Sequence, residues 1–191
     1  VGITFQFSDR LSASFKYSRQ GLGELDPSQA TNYDRSFSVH YRFMNEGDIR
    51  PAVAIGLNDF VGTGFYSGEY VVATKTFSPR LRGTLGLGWG RLGTVGGFTN
   101  PLGIFSDRFE TRPSRDTGTG GDLESAEWFR GDAAFFGGVE WMVNERMRLT
   151  AEYSSDDYSR EDGAAFDYRN PFNFGLDWKY SDRGTVSARY L

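Results

Sequence analysis

Residues 50–92 read RPAVAIGLNDFVGTGFYSGEYVVATKTFSPRLRGTLGLGWGRL. Three segments of about ten residues alternate apolar side chains with small or polar ones, the period of two that sends successive side chains to opposite faces of a strand. Val53, Ile55 and Leu57 fall on one face, with Ala52, Ala54 and Gly56 behind them. Leu85, Leu87 and Trp89 do the same against Arg82, Thr84, Gly86, Gly88 and Gly90. One apolar face and one small or charged face, on strands this long, is the pattern of a sheet with lipid on one side and a wet lumen on the other.

Composition narrows the classes. At 191 residues the chain fits a single domain. Hydrophobic residues are 38% and mean hydropathy is −0.49, and no apolar run approaches the ~18–20 residues of a spanning helix, which excludes a helical membrane protein. Aromatics at 16% beside 25 glycines instead fit strands with aromatic girdles and glycine-lined faces. A net charge of −4 leaves no basic footprint for nucleic acid. Without cysteine there is no disulfide framework and no thiolate metal site. The opening VGITFQFSDR has neither a basic n-region nor an apolar h-region, so a mature, trimmed or partial chain is expected.

Outward from the central block the alternation continues. Strands are expected over 3–7, 12–19, 34–43, 131–143, 147–155 and 171–180, with a last one bearing Val186, Ala188 and Tyr190. A segment over 93–130, rich in Gly, Thr, Arg and Asp, reads as one large loop. Connections alternate between short turns and longer loops, as in outer-membrane barrels, where the two kinds sit at opposite rims. The expected fold is all-β: an antiparallel up-and-down transmembrane β-barrel of about ten strands, one domain over 1–191, or a segment of a larger barrel. Loop arithmetic puts both ends of the chain at the extracellular rim, which favours the larger barrel.

Facing follows from the alternation. Expected toward lipid are Phe5, Phe15, Phe37, Val53, Ile55, Leu57, Leu85, Leu87, Trp89, Phe135, Trp141, Leu149, Phe172, Phe174, Leu176 and Trp178. Expected toward the lumen are Lys16, His40, Arg42, Glu69, Lys75, Arg82, Glu140, Arg148, Glu152, Asp177, Lys179 and Arg189. Their mixed signs suit a network of ion pairs better than a single-sign selectivity ring.

The blocks YDRSFSVHYRF, PAVAIGLNDFVGTGFYSGEYVVATKTF, TLGLGWGRLG, FFGGVEW, AEYSSDDYSRE and NPFNFGLDW cover most of the chain outside 93–130. In these blocks the sequence resembles the YjbH-type exopolysaccharide biosynthesis proteins of Gram-negative bacteria, which are related to a capsule-secretion component. The resemblance implies a barrel in the bacterial outer membrane, in contact with its lipids. It also implies a polysaccharide and periplasmic or lipoprotein secretion partners, and a role in production or export as conduit or structural partner. Members of that family are several times longer, and the family offers no catalytic motif to carry over.

Candidate chemistry is sparse. His40, the single histidine, has no Gly-x-Ser-x-Gly elbow or comparable context, so a lumen-facing polar role is expected. Asp156, Asp157, Glu161 and Asp162 match no cation-loop spacing and read as a solvated acidic loop, as do the acids of 107–127. Gly62 and Gly64 lack the helix and Lys of a phosphate loop and read as a tight turn. Gly86, Gly88 and Gly90 read as room for neighbouring side chains or barrel curvature, compatible with a smooth wall for a sliding polymer. Inward aromatics are few by this count, so Trp128 and Phe129 stand as candidate glycan contacts. The expectation is therefore a protein that is not an enzyme, with no cofactor and no metal. Its rivals are an outer-membrane lipase or acyltransferase barrel and a soluble β-sandwich binding module.

Overall fold

A computed structural model describes residues 1–20, 32–114, 122–123, 125–159 and 168–190. The strands, in chain order, are β1 (Gly2–Gln6), β2 (Leu11–Gln20), β3 (Asn32–Met44), β4 (Ala52–Gly62), β5 (Gly68–Ser78), β6 (Leu81–Gly90), β7 (Asp122–Leu123), β8 (Ala133–Asn144), β9 (Met147–Tyr153), β10 (Phe172–Ser181) and β11 (Gly184–Tyr190). All but the two-residue β7 form one antiparallel meander in which each strand pairs with the next. The all-β, antiparallel, up-and-down expectation thus describes the sheet. Among the described residues β1 pairs only with β2 and β11 only with β10, so the sheet is open.

Two expectations about connections need correction. The rims segregate as the meander requires, but not strictly by length: residues 45–51 join β3 to β4 on the short-turn side, while only 63–67 join β4 to β5 on the other. The segment 93–130 is not a plain loop either. It contains short 3-10 turns at Pro101–Ile104, Asp107–Phe109 and Ser125–Glu127, and β7 adds a two-residue ladder to β4. Its local anchors are turn chemistry: the Asn100 and Ser106 side chains accept from the backbone N–H of Leu102 and Arg108, capping two of those turns.

Residues directly opposite in an antiparallel ladder share a face. Leu11, Tyr41, Ile55, Val71, Leu87 and Phe135 form one such row. Leu81, Trp141, Leu149, Leu176 and Ala188 form another. On the reverse side Arg82, Glu140, Thr150, Gly175 and Arg189 align. The apolar face is left bare over much of its area: Phe135, Trp141, Phe174 and Trp178 keep 53%, 48%, 51% and 51% of their surface exposed. A β-sandwich would press that face against a second sheet, and the described residues form a single layer. Buried apolar residues are only Ala54, Trp89, Ala133 and Ala134 among them, and the largest fully buried side chains are Glu69, Asp59 and Ser155.

Candidate functional site

The polar face is built on glycines that hold rings. His40, Gly56, Tyr70, Gly88 and Ala134 lie in one row. A Cβ at Gly56 would fall inside the Tyr70 ring, one at Gly86 inside the Phe136 ring, and one at Gly88 against the Leu92 side chain. Small residues therefore let large neighbours lie along the sheet. Tyr70 uses the space to reach across β4, its Oη 2.9 Å from His40 Nδ1, and it meets Phe136 edge-on at 6.1 Å. Gly64, with φ of 72°, opens a tight turn in which its carbonyl accepts the Ser67 N–H at 3.2 Å, whereas Gly62, expected in that turn, ends β4 with φ of 155°, where a Cβ would collide with the Arg35 carbonyl oxygen.

Toward β10 and β11 the face becomes a ladder of paired charges. Arg148 Nη1 lies 3.2 Å from Glu140 Oε2 and its Nε 3.4 Å from Asp177 Oδ2. Arg189 donates to Asp177 Oδ1 at 2.5 Å, and the Ser187 hydroxyl donates to the same oxygen at 2.6 Å. Exposed pairs of this kind are worth roughly 0–1 kcal/mol each, so the ladder fixes orientation more than it adds stability. Lys179 pairs with Asp182 in the following turn, and Arg42 donates to the Asp9 carbonyl at 2.6 Å.

Between the glycine-and-ring region and the ladder lies a cleft of ≈ 430 Å³, lined among others by Arg82, Phe136, Glu152, Tyr158 and Asn173. A shelf at the long-loop rim bounds it. Ser155 Oγ donates to the Leu92 carbonyl at 2.6 Å, Val95 N–H to the Ser155 carbonyl at 2.9 Å, and Asp157 N–H to Thr94 Oγ1 at 2.9 Å. Arg91 pairs with Asp156 and lies over the rings of Tyr66 and Tyr158, while Lys16 Nζ sits 4.2 Å from the centre of the Tyr66 ring. On the far side of the shelf is a second cavity of ≈ 350 Å³, reached by Phe65, Arg112 and Glu127.

Two charges depart from their expected facing. Glu69 lies opposite Leu57 and Trp89, and Lys75 opposite Gly83 in line with Ala73, so both belong to the apolar face. Glu69 is tolerated there because Arg112 and Phe129 fold back over it. Arg112 contacts Glu69 through both terminal nitrogens, at 2.8 and 3.0 Å, and also pairs with Glu127 at 3.2 Å. The Phe129 N–H adds 2.9 Å to Glu69 Oε2. A carboxylate that is 1% exposed thus has a fixed shell of donors. Lys75 sits near the short-turn rim, where its ammonium reaches Glu46 at 3.1 Å and the Gly47 carbonyl at 2.7 Å. Glu46 also accepts the Thr76 N–H at 2.7 Å, and that bond, with Lys75, holds its carboxyl below the usual range.

Trp89, expected against lipid, is on the apolar face but 3% exposed, because the Phe129 ring packs edge-on against it at 5.2 Å. Phe129 is thereby occupied in packing, and Trp128 stands edge-on to Phe60 at 6.3 Å. Neither belongs to the cleft. Of the aromatics beside the cleft, Phe136 and Tyr158 were not anticipated; Asn173 was expected on the polar face of its strand but not as a site residue. Phe136 had a signal: next to Phe135 in a strand, it must take the opposite face. Of the acidic group, Asp156 is engaged by Arg91 and accepts the Tyr158 N–H at 2.8 Å, whereas Glu161 and Asp162 lie outside the described residues. Lys16, His40, Arg42, Arg82, Glu140, Arg148, Glu152, Asp177, Lys179 and Arg189 sit in the polar rows of the sheet.

A family described as exopolysaccharide biosynthesis protein YbjH matches residues 1–191. The chain is also 35% identical over 161 residues to a protein of Escherichia coli (strain K12) called "Uncharacterized lipoprotein YjbH", a match that covers 84% of this chain and 23% of that protein. The chain thus spans less than a quarter of that relative's length. No solved structure matches it. With the family matched over every residue, the chain belongs to the YjbH exopolysaccharide biosynthesis family.

Proposed function

We propose that this chain forms part of a β-barrel wall in the bacterial outer membrane. There it serves exopolysaccharide or capsule production or export, as conduit or structural partner of the secretion machinery. The carrying observation is the two-sided single sheet, with half-exposed aromatics along one face and charges, hydroxyls and glycines along the other. Most strands have the length a barrel needs to cross a bilayer, about 9–11 residues when tilted. Backbone groups at β1 and β11 cannot stay unpaired in hydrocarbon, so further strands of a longer polypeptide close the sheet in this reading. The E. coli relative's description as a lipoprotein supports an envelope location. A non-catalytic role is part of the proposal: among the described residues the side-chain partner of His40 is the Tyr70 hydroxyl, not the nucleophile or carboxylate of a triad. The lipoprotein and periplasmic partners remain within this proposal.

The test is physical. The native protein should need detergent to refold, migrate differently in unboiled and boiled gels, and show quenching of Trp141 and Trp178 by brominated lipid. A detergent-free soluble monomer with unquenched tryptophans would sink the barrel reading.

A further inference from the structure

We propose that the cleft between β6, β8, β9 and β10 is a binding subsite for a neutral, hydroxyl-rich saccharide segment. The inference rests on the polysaccharide reading above and adds a place and a ligand class. Its starting point is a difference along the polar face. In the ladder, Arg148, Asp177 and Arg189 are all engaged with one another. In the cleft, Arg82, Glu152 and Asn173 have no hydrogen-bond or ion-pair partner among the described residues, though all three line it.

Placement brings these groups to one spot. Thr84, Gly138, Glu152 and Asn173 form a single row across four strands. Neighbouring strands lie about 4.8 Å apart, so groups along the row meet hydroxyls two ring carbons apart on a pyranose, or on neighbouring residues, rather than a single point ligand. Gly138 leaves a gap that Glu152 leans into: a Cβ added there would lie 3.1 Å from Glu152 Cγ. Arg82 stands one row nearer the short-turn rim, opposite Glu140. The set supplies a paired acceptor, a planar donor fork and an amide that does both, the mixture vicinal diols require.

The remaining wall supplies apolar contact. Phe136, whose ring tip fills the space over Gly86, lines the cleft as an aromatic contact for the partly positive C–H groups of a sugar, and Tyr158 lines it as well. The volume of ≈ 430 Å³ lies within the range of small-ligand sites. Charge selects among glycans. Glu140 is matched by Arg148, which leaves one cation, Arg82, against one anion, Glu152. That balance gives a polyanion no net attraction.

The experiment uses the full-length native protein in detergent, its folding checked by the gel shift. It is titrated calorimetrically with short neutral oligomers prepared from the polysaccharide its own cells secrete, and with oligogalacturonate. Neutral oligomers should bind. Glu152→Ala and Asn173→Ala should each weaken them about tenfold or more, the loss of one or two hydrogen bonds. Glu152→Gln should recover part of the loss, and Lys179→Ala, on the same face but outside the cleft, should change nothing. The subsite is overturned, with the functional reading intact, if gene deletion abolishes secreted polysaccharide yet folded protein ignores the neutral oligomers. Preference for oligogalacturonate, or equal loss in Lys179→Ala, overturns it too. Deletion that leaves polysaccharide output unchanged overturns both.

Discussion

The apolar face behaves differently in two regions. Over β10 and β11 it is bare, with Phe174, Trp178 and Tyr190 each about half exposed. At the long-loop rim of β5 and β6 the same face is covered: Phe129 lies on Trp89 and Arg112 on Glu69, both nearly inaccessible. A charge can stand among apolar neighbours in the second region because the chain returns to it with a guanidinium and a backbone N–H. In the first, the described residues offer no such partner. Facing is therefore set by the strand's parity, and tolerance for a charge by what lies above it.

The sharpest way to break this comparison is Glu69→Ala. It leaves the half-buried Arg112 with Glu127 as its remaining carboxylate, and loss of one member of a buried pair costs about 3–5 kcal/mol. The lower end is expected because Glu127 stays, and Glu69→Ala should make 91–130 sensitive to limited proteolysis while the strands persist. Next is Leu176→Arg or Phe174→Arg on the bare region, expected to cost about 2–4 kcal/mol in a bilayer and to block membrane assembly. Asn173→Arg on the reverse face should assemble normally. Equal damage on both faces would mean the sheet has two buried sides.

A smaller effect sharpens the reverse side of β6. Gly86→Leu places its Cβ where the Phe136 ring lies, and overpacking of this kind costs about 1–3 kcal/mol. Gly2→Ala, whose Cβ would lie 3.9 Å from the Phe15 carbonyl oxygen, should leave the unfolding midpoint unmoved. Smallest is a pH effect at the short-turn rim. The Glu46 carboxyl is held below its ordinary value, so its contribution is present above the unfolded carboxylate pKa and is lost as pH falls through the folded one. Amide exchange at Thr76 should accelerate as pH falls below the ordinary carboxylate range, and Glu46→Gln should remove that pH dependence.

Much of this was legible in advance because a strand's period is simple. LRGTLGLGWG and FNFGLDWKYS each declare two faces, and turns such as Ser181–Gly184 mark where the chain reverses. Glu69 and Lys75 were misassigned because charge was allowed to outrank parity in EYVVATK, where adjacent Val71 and Val72 blur which face is apolar. Phe136 was legible through its neighbour. Arg112 was not: it lies in an aperiodic segment, and its meeting with Glu69 depends on how that segment folds back. Nor could sequence distinguish paired from unpaired charges along the polar face, since Glu140 and Glu152 occupy equivalent positions in alternating strands.

The two charges on the apolar face of β5 also bear on immersion depth. From Glu69 to Lys75 is six residues, roughly 20 Å along the strand, and less once the strand is tilted. On β10, Phe172, Phe174, Leu176, Trp178 and Tyr180 follow one another without a charge over roughly 26 Å. A bilayer around this sheet would then meet a hydrophobic belt of uneven height, shallow at β5 and full at β10. Lipid beside β5 would have to thin, or Lys75 extend its ammonium to the headgroups. The thinnest place in the surrounding membrane would sit beneath the loop that Arg112 pins down.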